Sequence, residues 1–155
     1  MQARVLVADD HEVVRQGIRA ILQTRPEWEI CGEAVDGREA VRLAQELQPD
    51  IIIMDITMPK LSGLEAAQEI SRLKLPSRVL IFTMHESKSL GPSVRKAGAH
   101  GYVVKSRAAR DLVDALERLL SGGTFFDNFS PSGSKGGDDG SNRNFLLRQA
   151  LCFGC

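Results

Sequence analysis

The sequence has little of several features that would point to particular classes of protein. Its 155 residues include three cysteines, one tryptophan and one tyrosine, and basic and acidic side chains balance at 20 each. No apolar run approaches the roughly 20 residues that a membrane-spanning helix needs, and the first residues lack the layout of a signal peptide. The zero net charge gives no global attraction to nucleic acid or to a membrane. We therefore expect a cytoplasmic globular protein whose function depends on local arrangement.

The three cysteines do not predict a disulfide framework. Cys31 falls within a strand-like segment, and an odd count leaves one thiol without a partner. Cys152 and Cys155 have the spacing of a redox or zinc pair, but one such pair without a second is a weak signal. We assign these cysteines no function.

Apolar patterning predicts five strands that alternate with five helices. Four strand candidates are short apolar runs at residues 5–8, 51–54, 79–82 and 102–104, and one at residues 28–34 alternates more and is typical of a strand nearer an edge. Each is followed by a segment with apolar residues at helical spacing. Strict alternation favours a parallel sheet with helices on both faces, and right-handed crossovers leave few topologies. We predict a flavodoxin-like, doubly wound α/β fold with strand order 2-1-3-4-5.

Two segments depart from this regular pattern. Gly91-Pro92 falls within the fourth helix, and proline costs about 3 kcal/mol in a helix interior, so we expect a short helix that starts near Pro92. From about Gly122 the sequence becomes rich in glycine, serine and aspartate, a composition that cannot build a core. We expect residues 1–121 to form one domain and residues 122–155 to form a flexible tail.

Carboxylates follow two strands that the predicted order makes neighbours. Asp55 ends the uniformly apolar run Ile51–Met54, which suits a strand covered on both faces. The first strand ends in Asp9-Asp10, so three carboxylates would meet at the switch point of the sheet. Their mutual repulsion favours a bound cation. Mg²⁺, which takes one or two carboxylates together with waters and phosphate oxygens, fits this set.

Two further polar residues follow the last two strands. Thr83 and Lys105 would reach the same rim, where a metal and an ammonium favour attack by a carboxylate on a phosphoryl group. Taken singly, Asp55 fits a turn and Lys105 a solvated surface. Asp10 and Thr83 likewise fit helix caps. Because all of them share one position relative to the strands, we favour a phosphorylation site with Asp55 as the acceptor.

The motifs at the strand ends are known together in one family. They are Asp9-Asp10, Asp55 with Met58-Pro59 and Gly63, Thr83, and Tyr102 three residues before Lys105. In spacing and order this set resembles the receiver domain of two-component response regulators, over roughly residues 3–121. The runs Ala8–His11 and Asp55–Pro59 are closest to the NarL/LuxR-type subgroup.

The resemblance implies a phosphoacceptor switch and not a turnover enzyme. A partner histidine kinase would phosphorylate Asp55. Asp10, Asp55 and the backbone carbonyl of Thr57 would ligate Mg²⁺, with Asp9 acting through water. The ammonium of Lys105 would assist phosphoryl transfer.

The resemblance also implies how a signal would leave the site. Thr83 would move toward the phosphate and the Tyr102 ring would follow inward, which changes the surface of the fourth helix, fifth strand and fifth helix. This surface is the expected contact of a homodimer. The subgroup normally continues into a helix-turn-helix of about sixty residues or more, whereas 35 residues follow Leu120 here. We expect no direct DNA binding by this chain.

Several alternatives stay open from the sequence. The chain could be a stand-alone regulator that acts through protein contacts, or the truncated receiver half of a DNA-binding transcriptional regulator. It could also be a magnesium-dependent phosphatase with an aspartate nucleophile, although such enzymes usually carry a second acid where this chain has Thr57. A flavin-binding module is disfavoured because Asp9-Asp10 would repel the phosphate of the flavin nucleotide. We expect His85, close to Thr83, to tune access to the phosphate.

Overall fold

Strands and helices alternate along the described chain. The structure, a computed structural model, describes residues 2–84 and 86–126. The elements are β1 Ala3–Ala8, α1 Glu12–Leu22, β2 Trp28–Ala34, α2 Gly37–Leu47, β3 Ile51–Asp55, α3 Gly63–Arg72, β4 Arg78–Thr83, α4 Leu90–Lys96, β5 Gly101–Val104 and α5 Ala108–Leu120, with a 3₁₀ turn at Lys105–Arg107. His85 and residues 127–155, which hold Cys152, Cys155 and most of the predicted tail, lie outside the described residues.

The five strands form one parallel sheet in the order β2-β1-β3-β4-β5. This confirms the predicted flavodoxin-like fold. In the register of the sheet, Ala8 pairs with Met54, and Thr83 pairs with Val104. The residues that follow β1 and β5 therefore reach the same edge of the sheet as the last residues of β3 and β4.

The core lies on both faces of the sheet, which explains the uninterrupted apolar sequence of β3. Ile51 and Ile53 pack into a cluster with α1 and α5, whereas Ile52 and Met54 pack into a cluster with α2, α3 and α4. All four side chains are fully buried. Burial of a side chain of this size contributes about 1.5–3 kcal/mol, so β3 is firmly fixed and its last residue, Asp55, has a well-defined position.

Helix α4 is short, as expected, but begins two residues before the predicted start. It runs from Leu90 to Lys96, and Pro92 occupies its third position. The first four amides of a helix have no intrahelical acceptor, so proline there loses no hydrogen bond. Leu90 is buried in the core, and this apolar anchor explains why the helix includes residues before the proline.

The packed chain continues past α5 and the boundary at residue 121. Phe125 is only 6% exposed and forms a parallel bridge with Gly101 at the outer side of β5. Its amide donates to the His100 carbonyl at 3.1 Å, and its carbonyl accepts from the Tyr102 amide at 2.9 Å. We call residues 123–126 the anchor segment.

Candidate functional site

Lys105 links two of the predicted acids at the carboxyl end of the sheet. Its Nζ lies 2.9 Å from Oδ2 of Asp9 and 3.2 Å from Oδ1 of Asp55. The side chain of Lys105 is 12% exposed and that of Asp9 only 1%. Lys105 is therefore an ion-paired residue of the site and not a solvated surface lysine.

Asp10 and His11 complete an acidic cluster beside Asp55. The His11 amide donates to Asp9 Oδ1 at 2.9 Å, and His11 Nδ1 lies 3.1 Å from Asp10 Oδ1. One ligand atom from each of Asp9, Asp10, His11 and Asp55 falls within 4.8 Å of all the others. His11 has no assigned role in the sequence interpretation, although its position directly after the two acids was an available signal.

The electrostatics of the cluster fit a divalent cation. Burial raises the pKa of Asp55, and repulsion from Asp9 raises it further, whereas Lys105 and a hydrogen bond from the Thr57 amide act in the opposite direction. Oδ2 of Asp9 is buried and, despite its short distance to Lys105, accepts no hydrogen bond. Oxygen ligands that repel each other and lack sufficient compensation are the set that a hard cation stabilises.

The loop after β3 depends on a glycine. A Cβ at Gly63 would lie 2.0 Å from the Asp55 carbonyl oxygen, so only glycine lets α3 begin against this backbone. The Gly63 amide donates to the Ile56 carbonyl at 2.8 Å, and Met58 is buried in the core. These contacts fix the loop that carries Thr57 beside the carboxylate of Asp55.

Thr83 and Tyr102 occupy neighbouring strands. Thr83 is buried at the end of β4 and lies one residue beyond Phe82, the partner of Asp55 in the sheet. Tyr102 pairs with Ile81, and its side chain is fully enclosed at 1% exposure. The structure therefore brings Thr83 to the edge that holds the acids. It places Tyr102 two residues further from that edge, packed against α4.

Arg15, which the sequence interpretation missed, contacts the backbone of Asp9. Arg15 Nη1 donates to the backbone carbonyl of Asp9 at 2.6 Å, and its Nε donates to Oε1 of Glu33 at 2.8 Å. Arg19 also pairs with Glu33. The contact ties α1 and β2 to the end of β1, and the sequence could not show it because it depends on the register of β1 against β2.

Comparison with known proteins agrees with this geometry. Residues 5–117 match the family model described as the response regulator receiver domain. The chain belongs to this family. Among curated proteins, this receiver domain is similar to the transcriptional regulatory protein LiaR of Bacillus subtilis (strain 168), with 40% identity over 119 residues, 77% of this chain and 56% of LiaR. It is also similar to the transcriptional regulatory protein DegU of Brevibacillus brevis, with 35% identity over 122 residues, 79% of this chain and 52% of DegU.

Solved structures show the same relationship. A two-component response regulator of the LuxR family from Aurantimonas sp. SI85-9A1 has a TM-score of 0.78 and 39% identity, over 87% of this chain and 94% of that chain. The signal receiver domain of the putative response regulator NarL from Mycobacterium tuberculosis has a TM-score of 0.75 and 30% identity, over 78% of this chain and 98% of that chain. The predicted NarL/LuxR-type resemblance is confirmed.

The comparisons also show how much of its relatives the chain covers. The chain spans about half the length of the curated relatives it matches, and those relatives are named as transcriptional regulatory proteins and not as enzymes. Within the described residues, the structure contains no helix with the length and apolar character required to cross a membrane.

Proposed function

We propose that this receiver domain is the phosphoacceptor switch of a two-component phosphorelay, with Asp55 as the acceptor of a phosphoryl group from a histidine kinase. The observation that carries the proposal is the position of Lys105, whose Nζ lies within 3.2 Å of Asp55 and 2.9 Å of Asp9. A fixed ammonium beside a carboxylate is the arrangement that phosphoryl transfer needs, because catalysis there is mainly positioning and charge compensation.

The proposed magnesium ligands are the carboxylates of Asp10 and Asp55 and the backbone carbonyl of Thr57, with Asp9 acting through water. The compact acidic cluster and the buried, unsatisfied oxygen of Asp9 support this set. When bound, Mg²⁺ supplies positive charge for the phosphoryl oxygens. The elevated pKa of Asp55 is consistent with a site that favours added positive charge.

Each remaining residue has a defined part in the proposed transfer. An oxygen of Asp55 forms the bond to phosphorus, and the bond from phosphorus to the nitrogen of the kinase histidine breaks with its electron pair going to that nitrogen. Lys105 compensates the charge on a phosphoryl oxygen, and the Thr83 hydroxyl donates a hydrogen bond to the phosphorylated product. Tyr102 then responds to the position of Thr83 and alters the surface of α4, β5 and α5, which would also be the contact of a homodimer.

The decisive test is incubation with a small phosphodonor and Mg²⁺, followed by intact mass measurement. We expect the wild-type chain to gain one phosphoryl group in a magnesium-dependent manner and Asp55→Asn to gain none. The same adduct on Asp55→Asn would overturn the assignment. Continuous release of phosphate over many turnovers would instead favour the phosphatase alternative, which the neutral Thr57 already disfavours.

A second candidate is the receiver half of a DNA-binding transcriptional regulator. It is favoured by the names of the relatives and by the length of the match, which is about half of theirs. We expect the present chain to act through protein contacts in the cytoplasm and not to bind DNA directly. Gel-shift with specific and random DNA tests this expectation, because clear specific binding would exclude a purely protein-contacting regulator.

A further inference from the structure

The anchor segment is attached to the domain through its backbone and through two arginines. Arg78 Nη2 donates to the Gly123 carbonyl at 2.7 Å, and the Arg118 guanidinium lies over the ring of Phe125, 5.4 Å from its centroid. A Cβ at Gly101 would come within 2.6 Å of the Phe125 carbonyl oxygen, so glycine in β5 is what permits this close approach. The last residue of the segment, Phe126, is therefore held at a defined place beside β5.

That place is next to the buried tyrosine. The rings of Phe126 and Tyr102 meet edge to face, with centroids 6.4 Å apart and an interplanar angle of 67°. Such pairs contribute beyond the apolar area they bury because the ring edge is attracted to the facing ring. Among the partly buried residues that the structure describes as packed on this core cluster, Phe126 is the one that follows α5.

Helix α4 closes the arrangement from the other side. The Arg95 guanidinium lies 3.8 Å from the centroid of the Phe126 ring, in cation–π contact. Gly91 faces the same tyrosine, because a Cβ built on it would lie 4.0 Å from Tyr102 Cε1. The Tyr102 ring is thus enclosed by α4 and by Phe126, and Arg95 of α4 contacts Phe126.

From this geometry we propose that Phe126 is a positioning residue for Tyr102, and that with Arg95 it holds the ring in its inward orientation. The proposal deepens the proposed function, since it rests on Tyr102 being the responding member of the switch pair. If the Tyr102 ring moves outward, Phe126 either stays in place and loses its contact with Tyr102, or follows the ring and loses its contact with Arg95. The position of the anchor segment and the state of the phosphorylation site are therefore coupled. By linkage, each affects the other to the same extent.

The single tyrosine of the chain makes a direct measurement possible. The 155-residue chain labelled with 3-fluorotyrosine gives one ¹⁹F signal, which reports the environment of Tyr102 without a phosphodonor. We expect Phe126→Ala to increase the outward population of the ring about threefold to tenfold, the range that loss of one aromatic pair produces. Arg95→Gln should produce a smaller increase, and Phe126→Trp, which retains an aromatic ring, should restore the wild-type spectrum.

Leu43→Ala is the matched control, because Leu43 is also a partly buried residue on the same core cluster but lies in α2. It should lower stability and leave the ¹⁹F signal of Tyr102 unchanged. The proposal is overturned if Phe126→Ala leaves the signal unchanged, or if Leu43→Ala shifts it equally.

A second arm separates this proposal from the proposed function. A small phosphodonor with Mg²⁺ is added to wild type and to Asp55→Asn. A signal that responds to Phe126→Ala but not to the phosphodonor supports the positioning role and counts against the switch. A signal that shifts with the phosphodonor in wild type but not in Asp55→Asn, and that Phe126→Ala leaves unchanged, supports the switch and overturns the positioning role.

Discussion

At the scale of single residues, the acids at the strand ends were predictable and their immediate partners were not. Asp9, Asp10 and Asp55 follow apolar runs, and parallel strands end at a common edge, so sequence alone brings them together. The carboxylate of Asp9 also contacts the His11 amide, and its backbone carbonyl contacts Arg15. Those contacts depend on side-chain direction and on strand register, which periodicity does not determine.

Replacement of the proposed acceptor should stabilise the fold. Burial and Asp9 raise the pKa of Asp55, so the folded chain holds this proton more tightly than the unfolded chain does. Stability from this residue is therefore fully present below the unfolded pKa and is lost as pH rises through the folded pKa. We expect Asp55→Asn to have a higher Tm than wild type at pH 7 in EDTA.

The difference in Tm between Asp55→Asn and wild type should shrink as the pH is lowered toward the ordinary pKa of an aspartate. Scanning calorimetry of both proteins across this range checks the sign, and titratable groups that do not interact with Asp55 cancel in the comparison. A difference that grows on acidification would contradict the raised pKa.

Removal of the bridging ammonium should have the opposite effect. Lys105→Met leaves the carboxylates of Asp9 and Asp55 buried without their cation, and loss of one partner of a buried pair costs about 3 kcal/mol or more. We expect denaturant unfolding to show this loss and Mg²⁺ to recover part of it. Lys60→Met serves as the control, because the Lys60 side chain is 67% exposed and its pair with Asp36 spans 3.6 Å. An equal loss in both variants would contradict the special position of Lys105.

At the scale of elements, the sequence predicts the alternation and the order of the strands well. Uniform apolar runs such as β3 and amphipathic helices such as α5 leave few alternatives once crossovers are right-handed. The start of α4 and the anchor segment were harder to predict. Leu90 joins its helix because of a tertiary contact, and Phe125 pairs with β5 although it follows two glycines that signal a helix end.

A pair of glycine substitutions tests how the site depends on its loop. Gly63→Ala puts a Cβ 2.0 Å from the Asp55 carbonyl oxygen, so we expect a loss of at least about 2 kcal/mol together with weaker Mg²⁺ binding. Gly17→Ala in α1 meets nothing within 4 Å and should stabilise the protein by about 0.5–1 kcal/mol. Urea unfolding measures the stability of both variants, and calorimetric titration measures their Mg²⁺ binding. Equal changes in stability and Mg²⁺ binding in the two variants would exclude the steric explanation.

At the scale of the whole molecule, the packed chain that the structure describes continues beyond the fifth helix. The anchor segment carries a buried phenylalanine, backbone hydrogen bonds to Tyr102 of β5 and to His100 just before it, and a hydrogen bond from Arg78. Composition alone places the boundary earlier, because the glycines at 122 and 123 mark the end of a helix whatever follows them.

Two shortened chains test this boundary. A chain that stops after residue 126 should be more stable than one that stops after residue 121 by about 3 kcal/mol or more, because the shorter chain lacks the buried Phe125 side chain. Thermal unfolding of both chains measures the difference. Equal stability of the two shortened chains would show that the anchor segment contributes nothing to the fold.

The bridge between Gly101 and Phe125 also bears on self-association. β5 is an outer strand of the sheet, and the free amides and carbonyls of an outer strand are a template for another chain. Phe125 occupies the Tyr102 amide and the His100 carbonyl on that side. A chain in which this short pairing is lost presents an open strand edge to its neighbours. The same two hydrogen bonds that hold an aromatic residue beside Tyr102 therefore also protect the protein from edge-to-edge aggregation.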